Sequence, residues 1–533
     1  MTAGDVRPRG RGMLRLWPVL TALLLLVVSR LSEASPSYWA DRAKFLADEA
    51  SKAVGSRISL TADEEVVNGL LMAAKRREIS AGLSDASTFL PAKHFFEAKK
   101  DIEKSDVFRF IKDLPKGAAL HGHDTSMASL AYVVNNLTHR ADLYACVTPA
   151  TTKGLSEVPL KLSALRFSAP GPPPISERCA EWTDVGQLRS RFGSDAIDRW
   201  FESYLSLVTA NPREKYPNID VVWEYFYRIL DLVGGLVTYK PVFAEYYKRT
   251  LEEMRDDNVI YLELRGTLPK LYDLDGNQWE GSEVVKVYKE ATDEFMENNR
   301  ENFIGAKFIY NAPRLVNDST ADQQIQTMLD IHTKYPDFVA GFDIAGQEDK
   351  GRPLKDFVDR ILTLPPSIKF FFHAGETDWQ GLADMNLVDA VLLNTTRLGH
   401  GYAILKHPLV MQRVKEQGIA IEVNPISNQV LLLVNDLRNH PAAALLADDY
   451  PVVISCDNAM LWNSTALSYD FYEAFMGMTS ADTDLRFLKR LAFNSIIYSS
   501  MNSVEKSQAL FLWHTKWNQF ISNTIEKYSY TSL

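Results

Sequence analysis

Residues 368–379 read IKFFFHAGETDW. An unbroken apolar run ends abruptly at His373, two small residues follow, and then Glu376. An apolar run without alternation reads as a strand buried on both faces, as in a parallel sheet. A His and a Glu at its carboxyl end stand where open α/β sheets and α/β barrels gather their reactive groups. Ala374 and Gly375 leave room for another group to approach the backbone.

Working outward, runs of the same kind recur. They lie at 118–123 (AALHGH), 259–265 (VIYLELR), 303–310 (FIGAKFIY), 338–344 (FVAGFDI), 368–373, 397–401 (RLGHG), 419–423 (IAIEV) and 452–456 (VVISC). Helical periodicity fills most intervals, for instance 282–298, 322–335 and 354–364. Eight strands alternating with helices predict an α/β fold, a (β/α)8 TIM barrel. The barrel is expected over 114–503, interrupted after its first strand by an insertion over about 124–258. Without the insertion its length is close to the usual ~250 residues.

The flanks are of another kind. Arg7, Arg9, Arg11 and Arg15 precede the apolar run 19–28 (VLTALLLLVV), and Ser32-Glu33-Ala34 offers small residues for cleavage. This is a secretory signal peptide pattern over 1–34, and it is short for a membrane span of about 20 residues. Residues 35–113 read as a helical extension, a candidate dimerisation element, with Thr61 and Glu64 forming a capping box. Residues 504–533 read as a C-terminal amphipathic helix.

Asn136, Asn317, Asn394 and Asn463 head glycosylation sequons. Of three cysteines, Cys146 and Cys179 could close a disulfide loop around APGPPP, and Cys456 reads as a buried free thiol. The chain carries 58 Lys plus Arg against 68 Asp plus Glu, a net charge of −10, which argues against nucleic acid as a partner.

The strand ends carry the chemistry. The chain has ten histidines, and four of them (His121, His123, His373 and His400) fall at the carboxyl ends of three strands. Asp457 follows the eighth. Residues two apart in a strand face the same side, so His121 and His123 can turn into the barrel mouth together. Three imidazoles and one carboxylate suit Zn²⁺, with a position left for water.

LPKGAALHGHD, FFFHAGETDW, TRLGHGYAI, EVNPISNQVL and SCDNAM resemble the adenosine deaminases of the metal-dependent amidohydrolase superfamily. DLRNHPAAALL and LSYDFYEAFMG, with the signal peptide, helical extension and cysteine-bearing insertion, are similar to the secreted adenosine deaminase 2 and adenosine deaminase growth factor group. The resemblance covers essentially the whole mature chain. It implies hydrolytic deamination of adenosine to inosine and ammonia, and one zinc held by His121, His123, His373 and Asp457. A bound zinc lowers the pKa of its water towards about 7. Glu376 would give the proton to purine N1, which requires a raised pKa. His400 would orient the water and take part in proton transfer, and its charge would help stabilise the developing oxyanion. The fourth strand ends without the bridging Lys or Glu of binuclear relatives, so one metal is expected.

The resemblance further implies that Asp124 meets the ribose, Gly346 the base through its backbone, and that Trp223 and Asn458 are substrate contacts. Three positions depart from the pattern. Asn458 stands for a second Asp facing N7, where an amide can donate without protonation. Gln347 stands for a histidine and Tyr227 for a glutamate. These leave nucleoside preference open. A growth-factor-like binding protein with little catalysis, and a deaminase of another purine nucleoside, are the alternative readings. A homodimer, and a cell-surface receptor or glycan bound through the insertion, are the implied macromolecular partners.

Overall fold

The computed structural model describes residues 37–150, 158–176 and 179–529. The signal peptide pattern lies outside them. Among the described residues, no helix is long and apolar enough to cross a membrane.

Eight parallel strands form the barrel: β1 (Gly117–His123), β2 (Val259–Gly266), β3 (Gly305–Pro313), β4 (Val339–Ala345), β5 (Lys369–Phe370, resuming at His373–Ala374), β6 (Arg397–His400), β7 (Ala420–Val423) and β8 (Val452–Ile454). β1 to β4 pair in order, and so do β6 to β8. β2 is buried along its whole length, as an unalternating apolar run requires.

β5 is not the continuous strand that 368–373 suggests. Its first half pairs with β4, Lys369 opposite Gly341, and its second with β6, His373 opposite Gly399. The ladder is interrupted at Phe371 and Phe372, although β5 lies between both neighbours throughout, the Phe370 carbonyl already accepting from the Thr396 amide at 2.8 Å. The Phe371 amide donates to Phe342 (2.9 Å), whereas the Phe372 carbonyl accepts from Gly399 (2.9 Å). Ile368 belongs to the turn before the strand, its amide bonded to Pro365.

The barrel closes where the chemistry was expected. Gly122 bridges Asp457 in parallel, the Asp457 amide donates to His121 O (3.1 Å), and the His123 amide donates to Asp457 O (3.3 Å). The carboxyl ends of β1 and β8 are therefore stitched together through the residues that carry the candidate metal-binding groups.

The helical extension docks through its own cap. In α1 (Ala62–Ser84), Thr61 and Glu64 form the capping box. One Glu64 oxygen accepts from the Thr61 amide (2.8 Å), while the other accepts from Trp517 Nε1 (2.6 Å) and Lys489 (2.5 Å). Lys75, fully buried, donates to Thr479 Oγ1, Ser480 O and Thr483 O at 3.2, 2.9 and 2.8 Å. A helix over 37–50 precedes α1 and is exposed throughout.

The insertion holds structure that the sequence did not announce. Leu143–Pro149 pairs antiparallel with both Leu160–Phe167 and Trp182–Asp184. Cys146 and Cys179 are disulfide-bonded, and Cys456 is free and buried. The helix α2 (Ile219–Val237) returns from this sheet and roofs the barrel mouth. Several helix bounds shift. The helix expected from 322 starts at Asp318, because Asn317 caps it, its side chain accepting from the Thr320 amide. The stretch 354–364 yields only a 3₁₀ turn and a four-residue helix.

The disulfide spans 33 residues and ties the small sheet to itself. Loop-closure entropy makes such a link worth about 3 kcal/mol. Cys146→Ser should therefore lower the protease resistance of the insertion and leave metal content unchanged. Equal digestion rates for the variant and the parent would refute this.

Candidate metal centre and active site

Local backbone geometry sets the site. His400, the last residue of β6, and Asp457, three residues beyond β8, have φ of 61° and 56°, in the left-handed region. That conformation costs a non-glycine residue roughly 1–2 kcal/mol and re-aims its side chain. Gly399 lets the imidazoles approach, since a Cβ there would lie 3.1 Å from His373 Cα and 3.4 Å from His121 Cε1. Gly375 has φ of 80° and turns the chain so that Glu376 faces the barrel mouth.

Four imidazoles converge. The rings of His121, His123, His373 and His400 have centroids separated by 4.6 to 5.3 Å in the five closest pairs. Ligand atoms of His121, His123 and His373 lie within 4.8 Å of one another, as do those of His121, His400 and Asp457. Asp457 Oδ1 is 3.2 Å from His123 Nε2 and 3.5 Å from His121 Nε2. His121 Nε2 is buried with no hydrogen-bond partner. A buried orphan nitrogen among other donors fits a metal ion better than a packed core.

Carboxylates behind the imidazoles decide which nitrogen is free. His121 Nδ1 lies 2.7 Å from Glu422 Oε2, and His373 Nδ1 lies 2.7 Å from Asp343 Oδ2. Burial alone would raise both carboxyls. Arg265, Arg397 and His121 outweigh it at Glu422, and His373 and Arg265 outweigh it at Asp343, so both stay well below the usual range. Each ionised carboxylate accepts an Nδ1 hydrogen and leaves Nε2 as a lone pair, the second-sphere arrangement of histidine metal ligands. Burial pushes His373 down to about 4, which keeps its ring neutral.

Arg265 joins the two sides. Its Nε donates to Asp343 Oδ2 (2.9 Å), one terminal nitrogen donates to Glu422 Oε2 (2.7 Å), and the other donates to Leu120 O (2.8 Å). Arg397 extends the network to Glu422 (2.5 Å) and Glu263 (2.6 Å). These groups are fully buried. Sequence reasoning missed them as functional, although the signal was present. Glu263 and Arg265 in VIYLELR, Asp343 in FVAGFDI and Glu422 in IAIEV are charges inside buried strands, where isolated charges are prohibitively costly.

A cavity of about 310 Å³ opens above this floor. His123, His373, Glu376, His400 and Asp457 line its base, and Trp223, Phe226, Tyr227 and Leu230 of α2 line its roof. The Glu376 carboxyl is raised well above its usual value, first by burial and then by Asp457 and Glu348. Glu348 also fixes the turn, accepting from the amides of Gly375 (3.1 Å) and Glu376 (2.9 Å).

The remaining candidates also reach the cavity, several already engaged. Asp124 Oδ2 accepts from Tyr288 (2.8 Å) and the Thr267 amide (3.2 Å). Asn458 Oδ1 accepts from Ser126, and Nδ2 donates to Asp457 Oδ1 (2.6 Å). Asn458 thus orients Asp457 and keeps one amide hydrogen. Tyr227 accepts from the Gln347 amide (2.9 Å), and the Gln347 side chain donates to Asp220 (3.1 Å), away from any ligand. Gly346 lines the cavity beside Tyr227. The sequon residues Asn136, Asn317 and Asn394 are exposed, and Asn463 is half-buried.

Comparison with known proteins places this arrangement in a family. The adenosine deaminase family model matches residues 220–511, and the adenosine/AMP deaminase N-terminal model matches 19–111. An adenosine deaminase of Phlebotomus duboscqi is 46% identical over 480 residues, 90% of each chain. Adenosine deaminase 2 of Sus scrofa is 42% identical over 515 residues, 95% of this chain and 98% of that one. Adenosine deaminase 2 of Homo sapiens is 40% identical over 518 residues, 96% and 98%. The Arabidopsis ADAL structure complexed with IMP superimposes with a TM-score of 0.54 at 16% identity, covering 77% of this chain and 99% of that one. The N6-mAMP deaminase of Arabidopsis gives 0.51 at 16%, covering 76% and 99%. The chain belongs to the adenosine deaminase family.

Proposed function

We propose that this protein is a secreted, zinc-dependent adenosine deaminase that converts extracellular adenosine, and 2′-deoxyadenosine, to inosine or 2′-deoxyinosine and ammonia. The observation that carries the reading is the juxtaposition, on one cavity floor, of a buried Glu376 carboxyl with raised pKa and a histidine–aspartate donor set. Relatives of 40–47% identity named adenosine deaminase support it.

His121, His123, His373 and Asp457 would hold the zinc. When bound, it supplies a Lewis acid that makes water a nucleophile near neutral pH. Glu376, kept protonated by burial, would hold its proton towards purine N1 and give it up as the ring loses aromaticity. His400 Nε2 faces Asp457 Oδ2 at 3.9 Å, with room for an oxygen to bridge them, while its Nδ1 lies 3.6 Å from Glu376 Oε1. The Asp124 carboxylate and the Gly346 backbone would meet the nucleoside, with Asn458 at the base, under Trp223 and Tyr227 of α2. Tyr227 is engaged by the Gln347 amide and the Gln347 side chain by Asp220, so the ribose loses the charged contact expected there, and affinity is the property most altered.

Export is supported by the arginine-flanked apolar run, the disulfide and three exposed sequons. For a homodimer the supporting feature is the helix over 37–50, whose Tyr38, Trp39, Phe45 and Leu46 are 49–68% exposed. Mature protein is expected to be N-glycosylated at Asn136, Asn317 and Asn394 ahead of Asn463.

Assay of zinc-loaded protein against adenosine, 2′-deoxyadenosine, guanosine and methylated adenosines tests the reading. Adenosine should turn over, chelation should abolish turnover, and zinc should restore it. A protein silent at millimolar adenosine with one zinc bound would refute it. Glu376→Gln should lose roughly 10²–10⁴-fold in kcat while retaining zinc. For the parent, kcat/KM should fall on the alkaline side as the raised Glu376 carboxyl ionises. Arg265→Leu should weaken zinc binding about 10–100-fold by freeing Asp343 and Glu422, and cost about 3–5 kcal/mol of stability. Competition titration with a chromophoric chelator and thermal melts measure the two, and unchanged affinity would dismiss Arg265 as an orienter.

A further inference from the structure

The stretch 436–446 contains Asn439-His440-Pro441, whose histidine lies outside the cavity and the candidate metal-binding set. His440 is buried, 2% exposed, beneath the loop that follows β7. Its Nδ1 accepts from the Ala442 backbone amide at 3.0 Å, and its Nε2 lies 2.9 Å from Asn428 Oδ1. Asn428, fully buried, presents Nδ2 to His400 Nδ1 at 3.0 Å.

Direction in this chain is not free. A backbone N–H can only donate, so His440 Nδ1 must be the acceptor and its hydrogen must sit on Nε2. Burial pushes His440 down to about 3, so the ring carries only that one hydrogen. The Asn428 atom facing Nε2 is then the oxygen, which turns the amide NH₂ towards His400 and makes His400 Nδ1 an acceptor. Asn424 Nδ2 lies 3.4 Å from the same nitrogen. The hydrogen of neutral His400 is left on Nε2. That nitrogen faces Asp457 Oδ2 at 3.9 Å, too far for a direct bond and wide enough for an intervening oxygen.

The contrast with the neighbouring rings is chemical. His121 and His373 have carboxylates against Nδ1 and therefore offer a lone pair at Nε2. His123 Nδ1 meets the Asn311 amide at 3.0 Å, but Asn311 Oδ1 has no other partner, so that amide is free to present its oxygen and accept an Nδ1 hydrogen in the same way. His400 has an amide donor against Nδ1 and offers a hydrogen. We propose that His440, acting through Asn428, is a positioning residue that fixes the tautomer of His400, so that His400 serves as a hydrogen-bond donor to the reacting oxygen and neither as a metal ligand nor as a base at Nε2. On this reading His400 orients the oxygen as a neutral donor, and its expected part in proton transfer does not include acceptance at Nε2. It rests on the deaminase reading for its consequence in catalysis, but the tautomer itself does not.

The test is ¹⁵N NMR of histidine-labelled, zinc-loaded full-length protein, with the His400 signals assigned by their loss in His400→Asn. The expected wild-type spectrum has His400 protonated at Nε2 and bare at Nδ1. Asn428→Asp replaces the donor with an acceptor and should move the proton to Nδ1. It should also lower kcat about 10²–10³-fold, the effect of losing one oxyanion donor, with KM within roughly threefold and zinc still at one per chain. His440→Leu frees the Asn428 amide to turn and should give a mixed His400 spectrum with an intermediate kcat. Protonation of His400 Nδ1 in the wild type overturns the proposal whether or not the variants fold. A wild-type kcat in Asn428→Asp overturns it as well. If the wild-type protein fails to deaminate any nucleoside, the functional reading falls, and the spectrum still decides the tautomer.

Discussion

Arg265 lies fully buried between two carboxylates, Asp343 from β4 and Glu422 from β7, and each of these grips a different imidazole. A guanidinium cannot lose its charge at any accessible pH. Together with His373 at Asp343, and with Arg397 and His121 at Glu422, it keeps both carboxylates ionised despite their burial. Ionised carboxylates accept the Nδ1 hydrogens of His121 and His373 and leave Nε2 bare, so the donor character of the candidate metal site depends on a shared set of buried charges in which Arg265 is the common member. Arg397 and Glu263 balance it from below, so the barrel interior is a closed ionic lattice surrounded by apolar strands. Such lattices contribute little net stability compared with a hydrophobic core, but removal of one member leaves an uncompensated charge.

Above that lattice, the site separates imidazoles that look alike. His121, His123, His373 and His400 form one cluster, and all have Nδ1 partners. What differs is the partner: an ionised acceptor for His121 and His373, an amide with a free oxygen for His123, and for His400 an amide whose donor end is turned inward by His440. Glu376 shows the same logic with carboxyls. Asp343 and Glu422 have cationic partners and are held ionised, whereas Glu376 faces Asp457 and Glu348 in a buried setting and is held protonated. Acid, ligand and donor roles are distributed by second-layer groups and not by residue type.

Much of this was legible in the chain. Unalternating apolar runs gave eight strands because a parallel barrel buries both strand faces, and the histidines at 121, 123, 373 and 400 stood out by clustering at strand ends. The capping box at Thr61 and Glu64 was readable because it is local. The break in β5 was not, because it depends on the register of the strand against β4 on one side and β6 on the other. The small sheet of the insertion was also hidden, since its three strands are short, partly polar and separated by long loops. The engagement of Tyr227 by the Gln347 amide links residues 120 apart in sequence and leaves no local trace.

The sequence by itself determined the alternation of strands and helices, the donor atoms available for a metal and the carboxyl able to serve as an acid, because each is written in residue type and short-range spacing. Only the tertiary structure decided which imidazole nitrogen is bare, which carboxyl is protonated and where the roof helix α2 lies. Those properties depend on partners such as Glu422 for His121, 301 residues away, and on burial that no single segment provides. Protonation and tautomer are set by the electrostatic surroundings of a group, and the surroundings exist only once the barrel has closed.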